Sequence, residues 1–249
     1  MDSSGIGAAT LTAGSSYWRC TEFTSDSERL YYSRFIISPL EVGQANTLGA
    51  ALRRALLGAP GGVCTTLGVL PGMDHEYTAI AGVRESVHDI LMNFREIVLR
   101  GHPATLREAY VSIAGPGRVT ARDIVLPPSV GIIDPAQHIA TLTRKIKFNI
   151  RLGIGRRGLG YSGQSVAGYQ KGQFPLGAPP APIRNVNYSV HCYGNHSGGI
   201  TKEMLMLEIW TNGGLTPLEA VHEASQNLIN LFGYPFARVT RETNPAERA

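Results

Sequence analysis

Residues 47–57 are the segment that most restricts what this chain can fold into. Their sequence, Thr-Leu-Gly-Ala-Ala-Leu-Arg-Arg-Ala-Leu-Leu, repeats its apolar residues at helical spacing. One stripe, spaced i, i+3, i+4, i+7 and i+8, predicts the apolar side of a helix: Leu48, Ala51, Leu52, Ala55 and Leu56. The opposite side mixes arginine with an apolar residue, which is typical of protein-binding surfaces: Ala50, Arg53, Arg54 and Leu57. A core helix with one stray leucine explains the same residues equally well.

Length and charge exclude several classes of protein. The chain has 249 residues, 43% of them hydrophobic, enough for one large domain or two small ones. No apolar run reaches the ~18 residues of a membrane span, and we find no secretory signal. The net charge of +4 comes mostly from arginine, which keeps a free nucleic-acid-binding module as one alternative, although the charges form no block. The three dispersed cysteines favour a reducing compartment: Cys20, Cys64 and Cys192.

Strand patterns occupy most of the chain between its helices. Strands are predicted at residues 29–37, 63–70, 108–114, 118–125, 137–142, 145–152, 184–193 and 203–211. The first helix can be capped by Asn46 or Thr47, and a second is predicted over residues 82–95. Residues 153–182 are rich in Gly and Pro and predict a loop. Helices near both ends with a β-rich middle predict an α+β fold.

The last helix has a clear start signal. Thr216, Pro217 and Glu219 occupy the N-cap, N1 and N3 positions of a capping box. Gly233 and Pro235 predict its end. Its apolar residues share one face: Ala220, Val221, Ala224, Leu228 and Leu231. We therefore expect this helix to be amphipathic, like the first.

Three local motifs suggest chemistry, but each lacks its structural context. Gly153–Gly158 matches the glycine pattern of dinucleotide-binding loops, so a nucleotide-dependent enzyme is an alternative function. The next residues, Leu-Gly-Tyr-Ser-Gly-Gln-Ser, do not predict the helix that this motif needs. Residues 160–164 fall one glycine short of a nucleophile elbow. The nearest approach to a metal cluster is His191, Cys192 and His196. Aspartates are scarce and dispersed, so we expect no catalytic residue and no metal site.

Several longer motifs, in order along the chain, carry a family resemblance. They are Phe35–Leu40, Thr47–Leu57, His75–Tyr77, Gly82–Asn93, Gly115–Ala121, Gln137–Ala140, Leu207–Gly213 and Thr216–Ala220. Together they resemble the α subunit of bacterial-type, multisubunit DNA-directed RNA polymerase. Tyr31–Phe35, Glu85–His88 and Ile209–Asn212 look like the plastid branch of that family.

The resemblance implies a discontinuous α+β architecture. Residues 17–61 plus 182–235 would form a dimerisation subdomain of helices packed on an antiparallel sheet. Residues 62–181 would form an inserted β-rich subdomain, and residues 1–16 and 236–249 would be flexible tails. The family's C-terminal DNA-binding domain has no counterpart in this sequence, which is consistent with either its loss in this lineage or a fragment. No contact of the family's loop is carried over to residues 153–182.

The resemblance also implies site residues and partners. The dimer interface would comprise Phe35, Leu48, Leu52, Leu56, Val221, Ala224, Leu228 and Leu231. The catalytic subunits would dock on Arg54, Leu57 and Arg95.

The implied function is a non-catalytic subunit that pairs with a second copy of itself and assembles the β and β′/β″ polymerase subunits. We expect σ factor and accessory proteins in the complex, mainly indirect contact with DNA and no membrane span. This chain would hold no cofactor, and Mg²⁺ would belong to the catalytic subunit. The expected location is the plastid stroma, in association with the nucleoid.

Overall fold

The computed structural model contains two large antiparallel sheets, each packed on helices, and a third sheet of two strands. It describes residues 16–58, 61–101, 103, 105–156, 171–176, 180–194 and 201–242, with side chains up to residue 233. The strands are β1 (Tyr17–Ser27), β2 (Leu30–Leu40), β3 (Val63–Val69), β4 (Leu99–Gly101), β5 (Arg107–Ala114), β6 (Gly117–Thr120), β7 (Ile124–Val125), β8 (Val130–Ile132), β9 (His138–Leu142), β10 (Lys147–Arg156), β11 (Gln173–Pro175), β12 (Ile183–Tyr193) and β13 (Lys202–Thr211). The helices are α1 (Gln44–Gly58), α2 (Val87–Arg95) and α3 (Pro217–Glu242).

The first sheet, which we call the end sheet, joins the two ends of the chain. Its strand order is β1-β2-β13-β12, and Phe35 of β2 pairs with Leu207 of β13. Alternate residues along β13 are buried, so one side of the sheet forms a core with α1 and α3. The largest side chains of that core are Phe35, Leu56, Leu207 and Ile209.

The second sheet, which we call the middle sheet, has the order β7-β5-β10-β3-β4-β8, and β11 pairs with β3. A two-stranded sheet of β6 and β9 packs nearby, and α2 lies against β3 and β9. The side chains between them are fully buried, among them Ile90, Phe94, Ile139, Leu152 and Ile154. This α+β architecture confirms the predicted fold class. The subdomain boundaries at residues 61, 62, 181 and 182 stay a prediction.

Ion pairs and hydrogen bonds connect the middle sheet to the end sheet and α3. Arg156 of β10 lies 3.0 Å from Glu223 of α3, and Arg100 of β4 lies 3.6 Å from Glu219. Arg29, in the turn between β1 and β2, donates to the Glu96 carbonyl over 3.1 Å. These contacts hold the first turns of α3 beside the middle sheet.

The start of α1 differs from the prediction. The helix begins at Gln44, before Asn46 and Thr47, so neither residue is its cap. Instead, the buried Glu203 of β13 accepts a hydrogen bond from the Ala45 backbone N–H over 3.1 Å. A carboxylate stabilises the positive end of a helix. Because Glu203 lies far away in the sequence, no local pattern could indicate this cap.

The predicted start of α2 at residue 82 is also wrong. The helix begins at Val87, after a capping box in which the Asp89 N–H donates to Ser86 Oγ over 3.2 Å. The residues before it are held in extended pairing instead, because Val83 bridges Leu142 and the Thr141 N–H donates to Glu85 over 2.6 Å. The Val87 N–H, which a longer helix would have used internally, donates instead to the Thr78 carbonyl over 3.1 Å.

The last helix begins as predicted but ends later. Thr216 and Glu219 form the expected capping box, with the Thr216 N–H donating to the Glu219 carboxylate over 2.8 Å. The helix continues through Gly233 and Pro235 to Glu242, so residues 236–242 are helical and not a tail. A proline removes one helical hydrogen bond without ending every helix. Residues 1–15 and 243–249 lie outside the described part of the chain.

The predicted loop at residues 153–182 contains two strand segments. Residues 153–156 complete β10, and β11 covers residues 173–175. The pairing of Ile154 with Thr65 and of Phe174 with Gly68 accounts for both segments. In the described part of this region, the glycines therefore lie in a sheet, where their small size allows close packing.

Candidate docking surfaces

Helix α1 lies very close to the end sheet. A Cβ added at Gly49 would come within 2.5 Å of the Tyr188 ring, so only glycine fits at this contact. The Tyr188 hydroxyl donates to Asn46 Oδ1 over 2.9 Å. On the next turns, Leu52 and Leu56 are 4% and 0% exposed. The apolar stripe of α1 is therefore directed into the protein's own core.

The predicted dimer-interface residues fall into three groups. Phe35, Leu52, Leu56 and Ala224 are buried within the chain, at 2%, 4%, 0% and 3% exposure. Leu48, Val221 and Leu228 are partly buried against the same core, whereas Leu231 is 63% exposed. A dimer contact through the four buried residues would require their present packing to open. The surface that is free to meet a partner therefore centres on Leu231 and its neighbours.

Helix α3 presents an exposed apolar ridge, only part of which was predicted from the sequence. Ile229, Leu231 and Phe232 are 63%, 63% and 59% exposed, and Leu218 is 48% exposed near the helix start. Ile229 and Phe232 could have been predicted as surface residues from the sequence. Together with Leu228 and Leu231 they place apolar side chains on more of the helix circumference than one buried face requires. Large apolar side chains clustered at a surface indicate a protein contact. We call Ile229, Leu231 and Phe232 the α3 ridge.

A groove lies on each side of the α3 ridge. One has a volume of about 410 Å³, and its lining includes Trp18, Leu48, Leu218, Val221 and Ile229. The other has a volume of about 700 Å³, and its lining includes Arg54, Ala55, Leu228, Leu231 and Phe232. Both grooves are lined mostly by apolar atoms and open at the surface. A partner helix could fill them with apolar side chains.

Arg54 and Leu57 lie together on the outer side of α1, as predicted from helical spacing. Leu57 is 44% exposed and Arg54 is exposed. Both line a shallow depression of about 370 Å³ that also includes Ala50, Arg53 and Tyr188. Arg53 is held by a 3.0 Å hydrogen bond from its Nε to the Val186 carbonyl. Arg54 makes no polar contact within the described residues, so its guanidinium is available to a partner.

The structure does not bring Arg95 to the same surface. It ends α2, beside the core of the middle sheet, and it is half-buried. Its Nε is buried and has no hydrogen-bond partner among the described residues. The docking roles of Arg54, Leu57 and Arg95 stay predictions, with Arg95 at a separate site.

The motifs that suggested chemistry do not form active sites in the described residues. Residues 153–156 belong to β10, where they pair with β3, so the described part of this glycine segment is strand and not loop. Residues 157–164 lie outside the described part of the chain. His191 and Cys192 lie on β12, and His196 is not described. No group of three His, Cys, Asp or Glu residues that could hold a metal is present in the described ranges.

Two carboxylates have lowered pKa values through hydrogen bonds. Burial works to raise the pKa of Glu85, but hydrogen bonds from Thr141 and His138 outweigh it and lower that pKa. Burial likewise opposes the lowered pKa of Glu208, which results from hydrogen bonds donated by Arg34 and Tyr32. The bonds of Glu208 join β13 to β2, and those of Glu85 join the segment before α2 to β9.

A chain with this fold, an exposed apolar helix and an available arginine has the features of a protein-docking subunit. Residues 67–173 match the family model described as the RNA polymerase Rpb3/RpoA insert domain. The DNA-directed RNA polymerase subunit alpha of Huperzia lucidula is 54% identical over 231 residues, covering 93% of this chain and 68% of that protein. The same subunit of Cycas taitungensis is 55% identical over 225 residues, covering 90% of this chain and 65% of that protein.

With relatives this similar, the chain belongs to the α-subunit family of DNA-directed RNA polymerase, as its sequence motifs predicted. It spans about two thirds of the length of these relatives. A third relative, from Gossypium hirsutum, is 52% identical over 225 residues, covering 90% of this chain and 67% of that protein. The relatives are plant proteins, which implies a plastid origin for this α subunit. No helix in the described residues is both long and apolar enough to cross a membrane.

Proposed function

We propose that two copies of this chain pair through the α3 ridge and that the dimer assembles the β and β′/β″ subunits of a plastid RNA polymerase. The α3 ridge, exposed beside two open grooves, is the observation that carries the proposal. DNA-templated transcription would then take place in the assembled complex. The chain itself would contribute scaffolding and no catalytic residue.

The dimer is supported by the apolar surface of α3. Burying a large apolar side chain contributes roughly 1.5–3 kcal/mol, so the α3 ridge supplies several kcal/mol from each copy. In a symmetric pair every such contact occurs twice. The grooves beside the ridge match the shape of a second apolar helix. We therefore place the partner copy on Leu228, Leu231 and the exposed residues near them, with Leu48 and Val221 at its margin.

Docking of the large subunits is supported by the other side of α1. Arg54 and Leu57 share one depression, and an arginine next to an apolar side chain is typical of binding hot spots. Because the arginine has five N–H donors, it can bind a carboxylate or backbone carbonyls of a partner. Arg95 would contact a large subunit separately, at the end of α2.

The wider assignments follow from the same assembly role. We assign Mg²⁺ and the catalytic carboxylates to the large subunits, and we assign no cofactor to this chain. σ factor and accessory proteins would join the complex, and this chain would meet DNA mainly through them. The complex would work in the plastid stroma, at the nucleoid.

Co-purification with the large subunits tests the docking assignment. Arg54→Ala should stop the β subunit from co-purifying and should change the α dimer little, because Arg54 lines the second groove but the apolar side chains of the α3 ridge remain. The measurement is light scattering of the free dimer, followed by co-purification of co-expressed α and β. Normal recovery of β with the variant would refute the docking role of Arg54.

Arg53→Ala is the matched control on the same turn. Arg53 lines the same depression, but its Nε is tied to the Val186 carbonyl, so its loss should lower the thermal midpoint of α by a few degrees and reduce β recovery much less than Arg54→Ala. If both variants lose β equally, the effect belongs to the helix as a whole and not to Arg54.

A further inference from the structure

The middle sheet has a second surface that the assembly role does not use. Buried residues alternate with exposed ones along β5 and β10, and Val111, Ile150 and Leu152 are directed into the core. The residues between them therefore point to the opposite side of the sheet. The exposed residues on that side of β5 and β10 are Glu108, Tyr110, Ser112, Ala114, Lys147, Asn149 and Arg151, and Val125 of β7 stands beside Tyr110. We call this set the outer patch.

The strand register makes the outer patch continuous across three strands. Tyr110 of β5 stands opposite Arg151 of β10 and opposite Val125 of β7. Directly opposed residues in an antiparallel pair have Cβ atoms about 4.5–5.5 Å apart. On the next row, Ser112 Oγ donates to Asn149 Oδ1 over 2.8 Å. The aromatic ring therefore lies between an apolar side chain and a cation, above a hydrogen-bonded polar pair.

The apolar side chains of the outer patch are about half exposed to solvent. Tyr110 is 52% exposed and Val125 is 49% exposed. Tyrosine and arginine are the residues most enriched where proteins bind other proteins. An exposed valine beside the tyrosine extends the apolar contact. A partner could therefore bury a side chain of its own against Tyr110 and Val125.

The charged residues of the outer patch are two cations and one carboxylate, so the patch is net positive. Arg151 and Lys147 are exposed and form no ion pair within the described residues. The carboxylate, Glu108, is opposite Gly153 and is a diagonal neighbour of Arg151. Arg151 stands opposite Tyr110, and Lys147 lies two rows further along β10, opposite Ala114. Their complement is a partner that brings carboxylates next to apolar side chains.

We propose that the outer patch binds an acidic segment of a partner protein in which carboxylates flank apolar residues. The apolar residues would lie on Tyr110 and Val125, and the carboxylates would pair with Arg151 and Lys147. A single-stranded nucleic acid would also pair its phosphates with these cations. The patch offers it only one aromatic ring, however, and stacking of successive bases uses several. The valine favours a polypeptide.

A binding measurement on the intact chain tests this proposal. The probe is a short fluorescein-labelled peptide in which aspartates flank a pair of leucines, titrated with the protein and followed by fluorescence anisotropy. We expect saturable binding that weakens between about 50 mM and about 500 mM salt, because salt screens exposed charges. A matched peptide with lysine in place of aspartate should not bind. Equal binding of both peptides would overturn the proposal.

Arg151→Glu and Arg184→Glu form a matched pair of charge reversals. Arg184 is exposed on β12 of the end sheet, so both variants change the net charge equally. Arg151→Glu should weaken peptide binding about fivefold or more, and Arg184→Glu should leave it within about twofold. Equal losses would show that the peptide follows net charge, which overturns the outer patch as the site.

Tyr110→Ala and an oligouridylate complete the test. The alanine variant keeps both cations, so a drop in peptide affinity with unchanged oligouridylate affinity supports an apolar contact on the ring. Circular dichroism confirms that the variants remain folded. Tighter binding of oligouridylate than of the acidic peptide by the unmodified chain would assign the outer patch to nucleic acid and overturn the proposal.

Discussion

Helices α2 and α3 use their apolar residues in opposite ways. On α2, Val87, Ile90 and Phe94 are 0% exposed, each packed into the core of the middle sheet. On α3, the early residue Ala224 is 3% exposed, whereas Leu231, two turns later, is 63% exposed. Helix α2 completes a core within one chain. Helix α3 begins in a core, but its later turns are exposed.

This difference explains how one chain can be both a stable fold and an assembly part. The middle sheet buries the apolar face of its helix within the chain, so its stability should not depend on the concentration of the protein. The α3 ridge exposes large apolar groups to water, and burial by a partner would stabilise it through mass action. In the proposed dimer the interface therefore lies on the half of the molecule with the end sheet, and the middle sheet keeps its core within one chain.

The largest expected effect comes from charging the α3 ridge. Ile229→Glu combined with Leu231→Glu should raise the dimer dissociation constant at least about a hundredfold, because two buried apolar contacts of roughly 1.5–3 kcal/mol each are lost. Analytical ultracentrifugation over a range of protein concentrations measures this constant. The secondary structure should remain, since both side chains are already exposed within the chain.

Leu106→Glu provides the control in the other half of the molecule. Leu106 is 62% exposed and precedes β5, so it matches Ile229 in exposure but lies on the middle sheet. This variant should dimerise like the unmodified chain. If charging the α3 ridge leaves the dimer unchanged, the proposed contrast between the helices is wrong.

A core substitution in the middle sheet should have the next largest effect. Phe94 is 0% exposed, so Phe94→Ala leaves a cavity and should lower the free energy of unfolding by about 3–5 kcal/mol. Urea unfolding followed by circular dichroism measures this free energy.

Phe232→Ala removes the same atoms from a side chain that is 59% exposed. It should weaken dimerisation and have little effect on the unfolding of a monomeric background. Equal costs in that background would contradict the assignment of Phe232 to the surface.

Much of this fold follows from local sequence patterns. Strand residues such as Leu205, Leu207 and Ile209 alternate with partly exposed ones, so their positions and burial could be predicted. Thr216 and Glu219 carry a capping signal within four residues, and the structure contains that cap. The cap of α1 could not be predicted, because its acceptor, Glu203, arrives from another strand.

The site was only partly predictable, for a physical reason. Helical spacing indicates which residues of α1 avoid water, but it does not indicate whether the same chain or a second copy covers them. The resemblance assigns Leu52 and Leu56 to an interface with a second copy, whereas in the structure both pack in the core beneath the chain's own end sheet. Arg54 and Leu57, by contrast, lie on the outer side where spacing placed them. Interface residues can be separated from core residues only when the packing is known.

The smallest expected effect concerns a carboxylate that ties the start of α2 to β9. Glu85 accepts hydrogen bonds from the Thr141 N–H over 2.6 Å, the Thr141 hydroxyl over 3.0 Å and His138 Nε2 over 2.8 Å. These bonds lower its pKa although burial opposes the shift. Because the folded state holds the ionised form more firmly than the unfolded state, Glu85 stabilises the fold above its unfolded pKa of about 4.3.

Glu85→Gln should therefore destabilise the chain by about 1 kcal/mol at neutral pH. For the unmodified chain, this contribution is lost as the pH falls below about 4.3 and through the lowered folded pKa, so the two proteins should converge in acid. Urea unfolding of a monomeric background at a series of pH values measures the difference. Glu108→Gln, which alters an exposed carboxylate on β5, should change stability by no more than about 0.5 kcal/mol. A gap between Glu85→Gln and the unmodified chain that persists in acid would mean that the amide disrupts packing. The hydrogen bonds to the ionised carboxylate would then not be what holds α2 against β9.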